Sequence, residues 1–196
     1  MLDEPYGQLL RNADLTPDPA AYDRLARKCR LIPVSCRFAA DTVTPVSLFL
    51  RFDDHESAFL LESVIGGERW ARYSIMGRRP LLRLTCRGSQ IRLSGPLAAV
   101  FPELGPDPVE LIRRLLEAFR LPPELANDGF RCGLVGSFSY DFVRYLEHLP
   151  EHRDDSLELP DCDLIVPAEV VLYDHLKNEL ILICVAAASE SDFPAY

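Results

Sequence analysis

The chain has no run of eighteen apolar residues, so it predicts no membrane-spanning helix. It has no G-x-S-x-G elbow, no phosphate loop and no dinucleotide fingerprint. That removes the usual sequence marks of serine hydrolases and nucleotide-binding enzymes. Gly136-Ser137 comes nearest to an elbow but lacks the second glycine. Positive charge is also short: 21 Lys and Arg stand against 30 Asp and Glu, a formal net charge of -9. An acidic chain lacks the basic face that phosphate contacts need, so nucleic acid is not its main partner. Arg83, Arg87 and Arg92 alternate along one hairpin and read as a solvated edge.

Histidine is sparse, at 55, 148, 152 and 175. His148 and His152 are four apart, but Pro150 between them breaks the helix that would align them for a metal. His175 lies beside a hairpin turn and reads as a surface residue. No pair among the six cysteines has C-x-x-C spacing. Most sit in apolar runs, such as Cys184 in LILICVAAA, and read as small buried hydrophobes of a reducing, cytoplasmic protein. The opening MLDEPYGQLL is acidic and poor in apolar residues, unlike a signal peptide. The pairs Asp53-Asp54, Asp154-Asp155 and Asp161 with Asp163 fall in predicted loops and read as surface solvation. No catalytic residue and no metal ligand is assigned within the chain.

What is present is an ordinary globular composition, 48% hydrophobic over 196 residues, with 16 scattered prolines that mark short elements. Asp18-Pro19 opens a helix to about Lys28, and Thr44-Pro45 opens a short buried one. Asp107-Pro108 caps VELIRRLLEAFR, whose Val109, Leu111, Ile112, Leu115, Leu116 and Phe119 make one apolar face. Residues 140–147 read as a short amphipathic helix with an Asp141–Arg144 pair. Strands are predicted at 31–38, 58–63, 72–77, 81–87, 90–93, 133–139, 164–174 and 180–188. Pro33 suggests that the first is an edge. Gly88-Ser89 and Lys177-Asn178 mark turns. The glycines of GLVG suggest close approach of another backbone. The fold class is α+β, a mainly antiparallel, sandwich-like sheet with interspersed helices.

The stretch FLLESVIGGERWARYSIMG, residues 59–77, carries the best binding signal. An apolar strand ends in the polar pair Glu62-Ser63, beside Gly66-Gly67, and the chain returns through Trp70, Arg72, Tyr73 and Ser74. One of Leu60 and Leu61 faces the core. Glu62 could take an ammonium, Ser63 could donate or accept, and Arg72 could meet a ligand carboxylate. The same residues also fit a plain strand end with Glu62 on a surface arginine, and by themselves they favour that plainer reading.

Four segments, in order, resemble the N-terminal domain of anthranilate synthase component I: LIPVSCRFAADTVTPVSLFLRF, FLLESVIGGERWARYSIMG, GLVGSFSYDFVRYLEHLP and LPDCDLIVPAEVVLYDH. The resemblance spans about residues 18 to 186. It implies an enzyme converting chorismate and an amino group to anthranilate and pyruvate, with magnesium, a glutamine amidotransferase subunit and feedback inhibition by L-tryptophan. It implies Leu61, Glu62 and Ser63 as effector contacts, and Arg72 and Ser74 as further ones. Ile65, Ala71, Ser137 and Ser139 depart from the family's common residues. The resemblance places the chorismate and magnesium residues in a catalytic domain beyond Tyr196. Expected domains are therefore a lead-in at 1–17, the regulatory domain at 18–188 and the start of a linker at 189–196. Alone, this region is expected to be inactive. A face left bare by the absent domain would favour a homo-oligomer. The rival is a stand-alone amino-acid-binding or scaffold domain that docks a separate catalytic or amidotransferase chain.

Overall fold

A computed structural model describes residues 14–53, 57–62, 72–121, 125, 133–150 and 157–188. Ser63, Gly66, Gly67, Trp70, Cys132 and His152 lie outside the described residues, as do most of the lead-in and the whole linker.

The caps fall where the sequence puts them. Helix α1 (Pro19–Ala26) starts on Asp18, whose Oδ1 accepts the Ala21 amide at 2.8 Å. Helix α2 (Pro45–Phe52) starts on a capping box: Ser47 N donates to Thr44 Oγ1, and Thr44 N to Ser47 Oγ. Helix α3 (Pro108–Ala118) starts on Asp107, which accepts from Val109 N at 2.8 Å. Each such cap contributes about 1 kcal/mol.

Seven strands form one antiparallel sheet among the described residues: β1 (Leu31–Ala39), β2 (Phe59–Glu62), β3 (Tyr73–Arg87), β4 (Gln90–Ser94), β5 (Val135–Phe138), β6 (Cys162–Asp174) and β7 (Glu179–Ala187). The order is β1-β7-β6-β3-β2, with β4 also on β3 and β5 also on β6. The α+β class with an antiparallel sheet is thus observed. β1 ends the order, which suits Pro33, and Thr16 exchanges two backbone hydrogen bonds with Ser35.

Contacts divide the chain into two units. The first takes the described residues of Met1–Arg79, Leu121–Asp128 and Ala168–Tyr196. Its core gathers Ala40, Met76, Val171, Tyr173 and Leu180, with Leu48, Phe49, Phe52 and Leu60 packed against them. A second cluster joins Leu25, Cys29 and Ile32. The second unit, Pro80–Arg120 and Gly129–Pro167, buries alternate strand residues: Leu82, Leu84 and Cys86 on β3, and Cys162, Leu164 and Val166 on β6. In α3, Leu111 and Leu115 are fully buried, each contributing about 2 kcal/mol. Phe101 meets Phe119 edge to face at 5.7 Å.

Several expectations need correction. In place of the separate strands expected at 72–77 and 81–87 there is one fifteen-residue strand, Tyr73–Arg87, which runs on through Arg79 at φ 54° and through Pro80. Arg78 and Arg79 both bind Glu169, at 2.6 and 2.8 Å, which holds the strand through that point. Helix α2 is not buried: Val46 and Leu50 are exposed on the side away from Leu48, Phe49 and Phe52. Leu116 leaves the apolar face of α3 and is exposed. The segment at 140–147 is a 3-10 turn, Tyr140–Tyr145, with Phe142 N on Ser139 O and Leu146 N on Val143 O. It is anchored at both ends: Ser139 N donates to Asp161 O, and the Tyr145 hydroxyl reaches Gly88 O at 2.9 Å. The Asp141–Arg144 pair is present at 2.8 Å.

Cys184 is exposed, not buried, because the strand alternation that hides Ile183 and Val185 turns it outward. Asp161 and Asp163 are not free surface groups. Asp163 binds Arg83 through two hydrogen bonds, at 2.8 and 2.6 Å, and Asp161 accepts from Tyr145 and from Gly88 N. Gly136 does admit another backbone, since a Cβ there would overlap the Asp163 carbonyl.

Candidate functional site

Pairing of β2 with β3 sets the site. Leu60 opposes Met76, Leu61 opposes Ile75 and Glu62 opposes Ser74. Leu60 packs on the core, whereas Leu61 is half exposed and Glu62 is exposed. One leucine of the pair therefore faces inward, as the alternation requires. Ser74 is buried, only 1% exposed. Its Oγ lies 3.4 Å from Glu62 Oε1 and 2.8 Å from His175 Nε2.

Arg72 enters beside it. Its Nε and Nη2 donate to the two Asp174 oxygens at 2.7–3.2 Å. Asp174 is 1% exposed and also accepts the amides of Leu176 and Lys177, so it closes the β6–β7 turn as well. The Arg72 hydrogen bonds hold the Asp174 carboxyl below the usual carboxylate range. The two turn amides act the same way, and burial opposes them. The Arg72 guanidinium is raised in turn, first by the Asp174 hydrogen bond. Its cation also lies over the Tyr73 ring at 4.8 Å.

Of the residues singled out by sequence, the structure brings Glu62 and Ser74 together, with Arg72 two residues before Ser74, all in the first unit; Leu61, paired with Ile75, turns to the other face of β2. Ser63 follows Glu62 outside the described residues. Arg72 is partly committed to Asp174, so a ligand carboxylate would meet the fork through its remaining nitrogen. His175 is exposed, as the sequence reading has it; what that reading missed is Asp174 and the bond from His175 to Ser74. The signal was present: VVLYDH, like FLLES, is an apolar strand ending in two polar residues.

Serine, histidine and carboxylate here do not form a hydrolytic triad. In a triad the acid holds the far imidazole nitrogen. Here Glu62 meets the serine, and that serine is buried. Among the described residues no group of three His, Cys, Asp or Glu side chains is placed to hold a metal. A cavity of about 450 Å³, lined by Leu15, Pro17, Arg24, Leu25, Lys28 and Leu125 among others, shares no residue with this cluster. No helix among the described residues is long and apolar enough to cross a membrane.

These features define a class: an α+β domain on an antiparallel sheet whose strand ends gather polar groups suited to binding. No protein-family model matches the chain. It is 38% identical over 171 residues to anthranilate synthase component 1 of Acetivibrio thermocellus, covering 81% of this chain and 32% of that protein. It is 39% identical over 172 residues to anthranilate synthase component 1 of Acinetobacter calcoaceticus, covering 84% and 34%. Among solved structures, anthranilate synthase component I of Streptococcus pneumoniae superposes with a TM-score of 0.51 at 19% identity, over 78% of this chain and 32% of that one. That likeness supports the fold. The chain is thus similar to anthranilate synthase component 1 proteins over four fifths of its own length, and it spans about a third of the length of these curated relatives.

Proposed function

We propose that this chain is the N-terminal regulatory portion of anthranilate synthase component I, and that it carries part of a tryptophan feedback site. The whole enzyme would form anthranilate and pyruvate from chorismate and an amino donor, working with a glutamine amidotransferase subunit. The observation that carries this reading is the 38–39% identity to proteins of that name over four fifths of the chain.

The site would consist of Leu61, Glu62, Ser63, Arg72 and Ser74. Glu62 offers an exposed carboxylate to the ligand ammonium. Arg72 keeps one nitrogen beyond those bound to Asp174 for the ligand carboxylate. Leu61 is included on the resemblance of FLLES to the family's effector-site strand, since its exposed side chain turns to the other face of β2. Tryptophan binding would bias how this region meets the catalytic portion, and so reach a distant active site. Exposed Phe138, Tyr140, Leu157 and Leu159 support contact with further polypeptide. Magnesium would belong to the catalytic portion.

The test is Ser63→Ala in the full-length enzyme. The tryptophan concentration that halves each variant's own uninhibited rate should rise about tenfold, as loss of one hydrogen bond to a charged ligand implies. An unchanged value would remove Ser63 from the site.

A further inference from the structure

We propose that the cavity beside α1 is a binding site for a small organic acid that carries an apolar body. Ala21, Arg24, Leu25 and Lys28 line it at spacings of three and four, so one stripe of the helix faces it. The stripe runs past the end of α1, because Lys28 N donates to Leu25 O at 2.8 Å and keeps the last turn closed. Leu15, Thr16 and Pro17 add a second wall. Thr16 exchanges backbone hydrogen bonds with Ser35 of β1 at 2.8 and 2.9 Å, so that wall is tied to the sheet. Pro17 and Leu25 are buried, and Leu25 packs with Cys29, Ile32 and Leu125. The apolar part of the lining is thus anchored in a core cluster. The cavity measures about 450 Å³, within the roughly 300–1,000 Å³ of small-molecule sites.

The cations select the ligand. Arg24 and Lys28 are neighbours at i, i+4, a like-charge pair that destabilises a helix. Among the described residues neither makes a side-chain hydrogen bond or ion pair, although the chain carries 30 Asp and Glu against 21 Lys and Arg. An anionic group between them would relieve the repulsion and accept charge-assisted hydrogen bonds from both. The acidic group in the lining is Asp18, whose Oδ1 accepts the Ala21 amide at 2.8 Å. It precedes Arg24 by roughly 9 Å along the helix axis, so the lining is negative at one end and positive at the other. That polarity orients the ligand, with its acid group toward Arg24 and Lys28 and its apolar body against Leu15, Pro17 and Leu25. A polyol would set hydroxyls against the leucines, and a purely apolar ligand would leave both cations without a partner. The cavity shares no residue with Leu61, Glu62, Arg72 or Ser74, so the inference stands independently of the tryptophan reading.

The probe is 8-anilinonaphthalene-1-sulfonate, an acid on an aromatic body, with N-phenyl-1-naphthylamine as its neutral counterpart. Fluorescence titrations of the full-length enzyme compare the wild type, Ala21→Trp, which fills the cavity, and the double variant Arg24→Gln with Lys28→Gln. Thermal midpoints of all three are recorded alongside. In the wild type the sulfonate should show a saturable component that Ala21→Trp removes. The double variant should bind the sulfonate about tenfold more weakly and the neutral amine within about threefold of wild type, since only the charged contacts are gone. Sulfonate binding that Ala21→Trp leaves unchanged would put the probe elsewhere and overturn the proposal. So would no saturable binding, or an equal loss for the two probes in the double variant. If Ala21→Trp does not fold, the double variant decides alone, because Arg24 and Lys28 are exposed. Unchanged sulfonate affinity there would overturn the site.

Discussion

Asp174 and Arg72 are 102 residues apart in sequence and joined by three hydrogen bonds, the shortest 2.7 Å. The pair ties the start of β3 to the end of β6. Its aspartate is buried and also organises the β6–β7 turn, whereas its arginine keeps some contact with water.

That pairing has a pH signature. The unfolded carboxyl titrates near about 3.9, and Asp174 in the folded chain lies lower, chiefly through Arg72. Its contribution is therefore fully present above about pH 4 and is lost as pH falls through the folded value. Asp174→Asn should cost about 1–3 kcal/mol at pH 7, the range for a buried group losing its partners. Urea midpoints at pH 7 and pH 3 check this. The wild type should lose more on acidification than the variant, and equal losses would contradict the assignment.

Gly136 permits the β5–β6 pairing. A side chain there would strike the backbone of Asp163 and Leu164, which cannot move aside as a flexible side chain could. Gly136→Ala should cost about 3 kcal/mol, the upper range for overpacking. Ser137→Ala, at the next and exposed position, should stay within about 0.5 kcal/mol. Denaturant unfolding of both variants decides the matter, and two equal midpoints would refute it.

The cysteines should differ in the native state. Cys184 is exposed, although partial burial and then Glu169 push its thiol above the usual range. Cys86 and Cys162 are buried, with sulfurs 2.9 Å apart, and burial pushes the Cys162 thiol up further. Iodoacetamide followed by peptide mass spectrometry should mark Cys184 before Cys86 and Cys162, with the difference gone in urea. Earlier labelling of either buried thiol would contradict the burial.

Helix starts were legible because each is written locally. Asp18-Pro19, Thr44-Pro45 and Asp107-Pro108 combine a cap with proline at the first turn, and all three open helices. Turns were legible where the backbone needs a left-handed residue: Gly88 has φ 53° and Asn178 φ 54°. What stayed hidden depends on partners far away in sequence. Nothing around Pro80 says that β3 runs through it, because Glu169 holds that point from ninety-odd residues away. The outward turn of Cys184 depends on which face of β7 the sheet covers. At the site, the run FLLES showed the strand, and Glu62 and Ser74 do meet there, while Leu61 turns to the other face. The bonds to Asp174 and His175 were not readable, since they form only when β6 lies beside β3.

Calorimetric titration of the full-length enzyme with L-tryptophan, with L-phenylalanine as comparison, tests the central claim most directly. Saturable binding at one site, at least about tenfold tighter for tryptophan, is the expected result, the difference of about 1.4 kcal/mol that a built recognition site provides. No saturable heat, or equal affinity for the two amino acids, would contradict the placing of a tryptophan site at Leu61, Glu62, Ser63, Arg72 and Ser74.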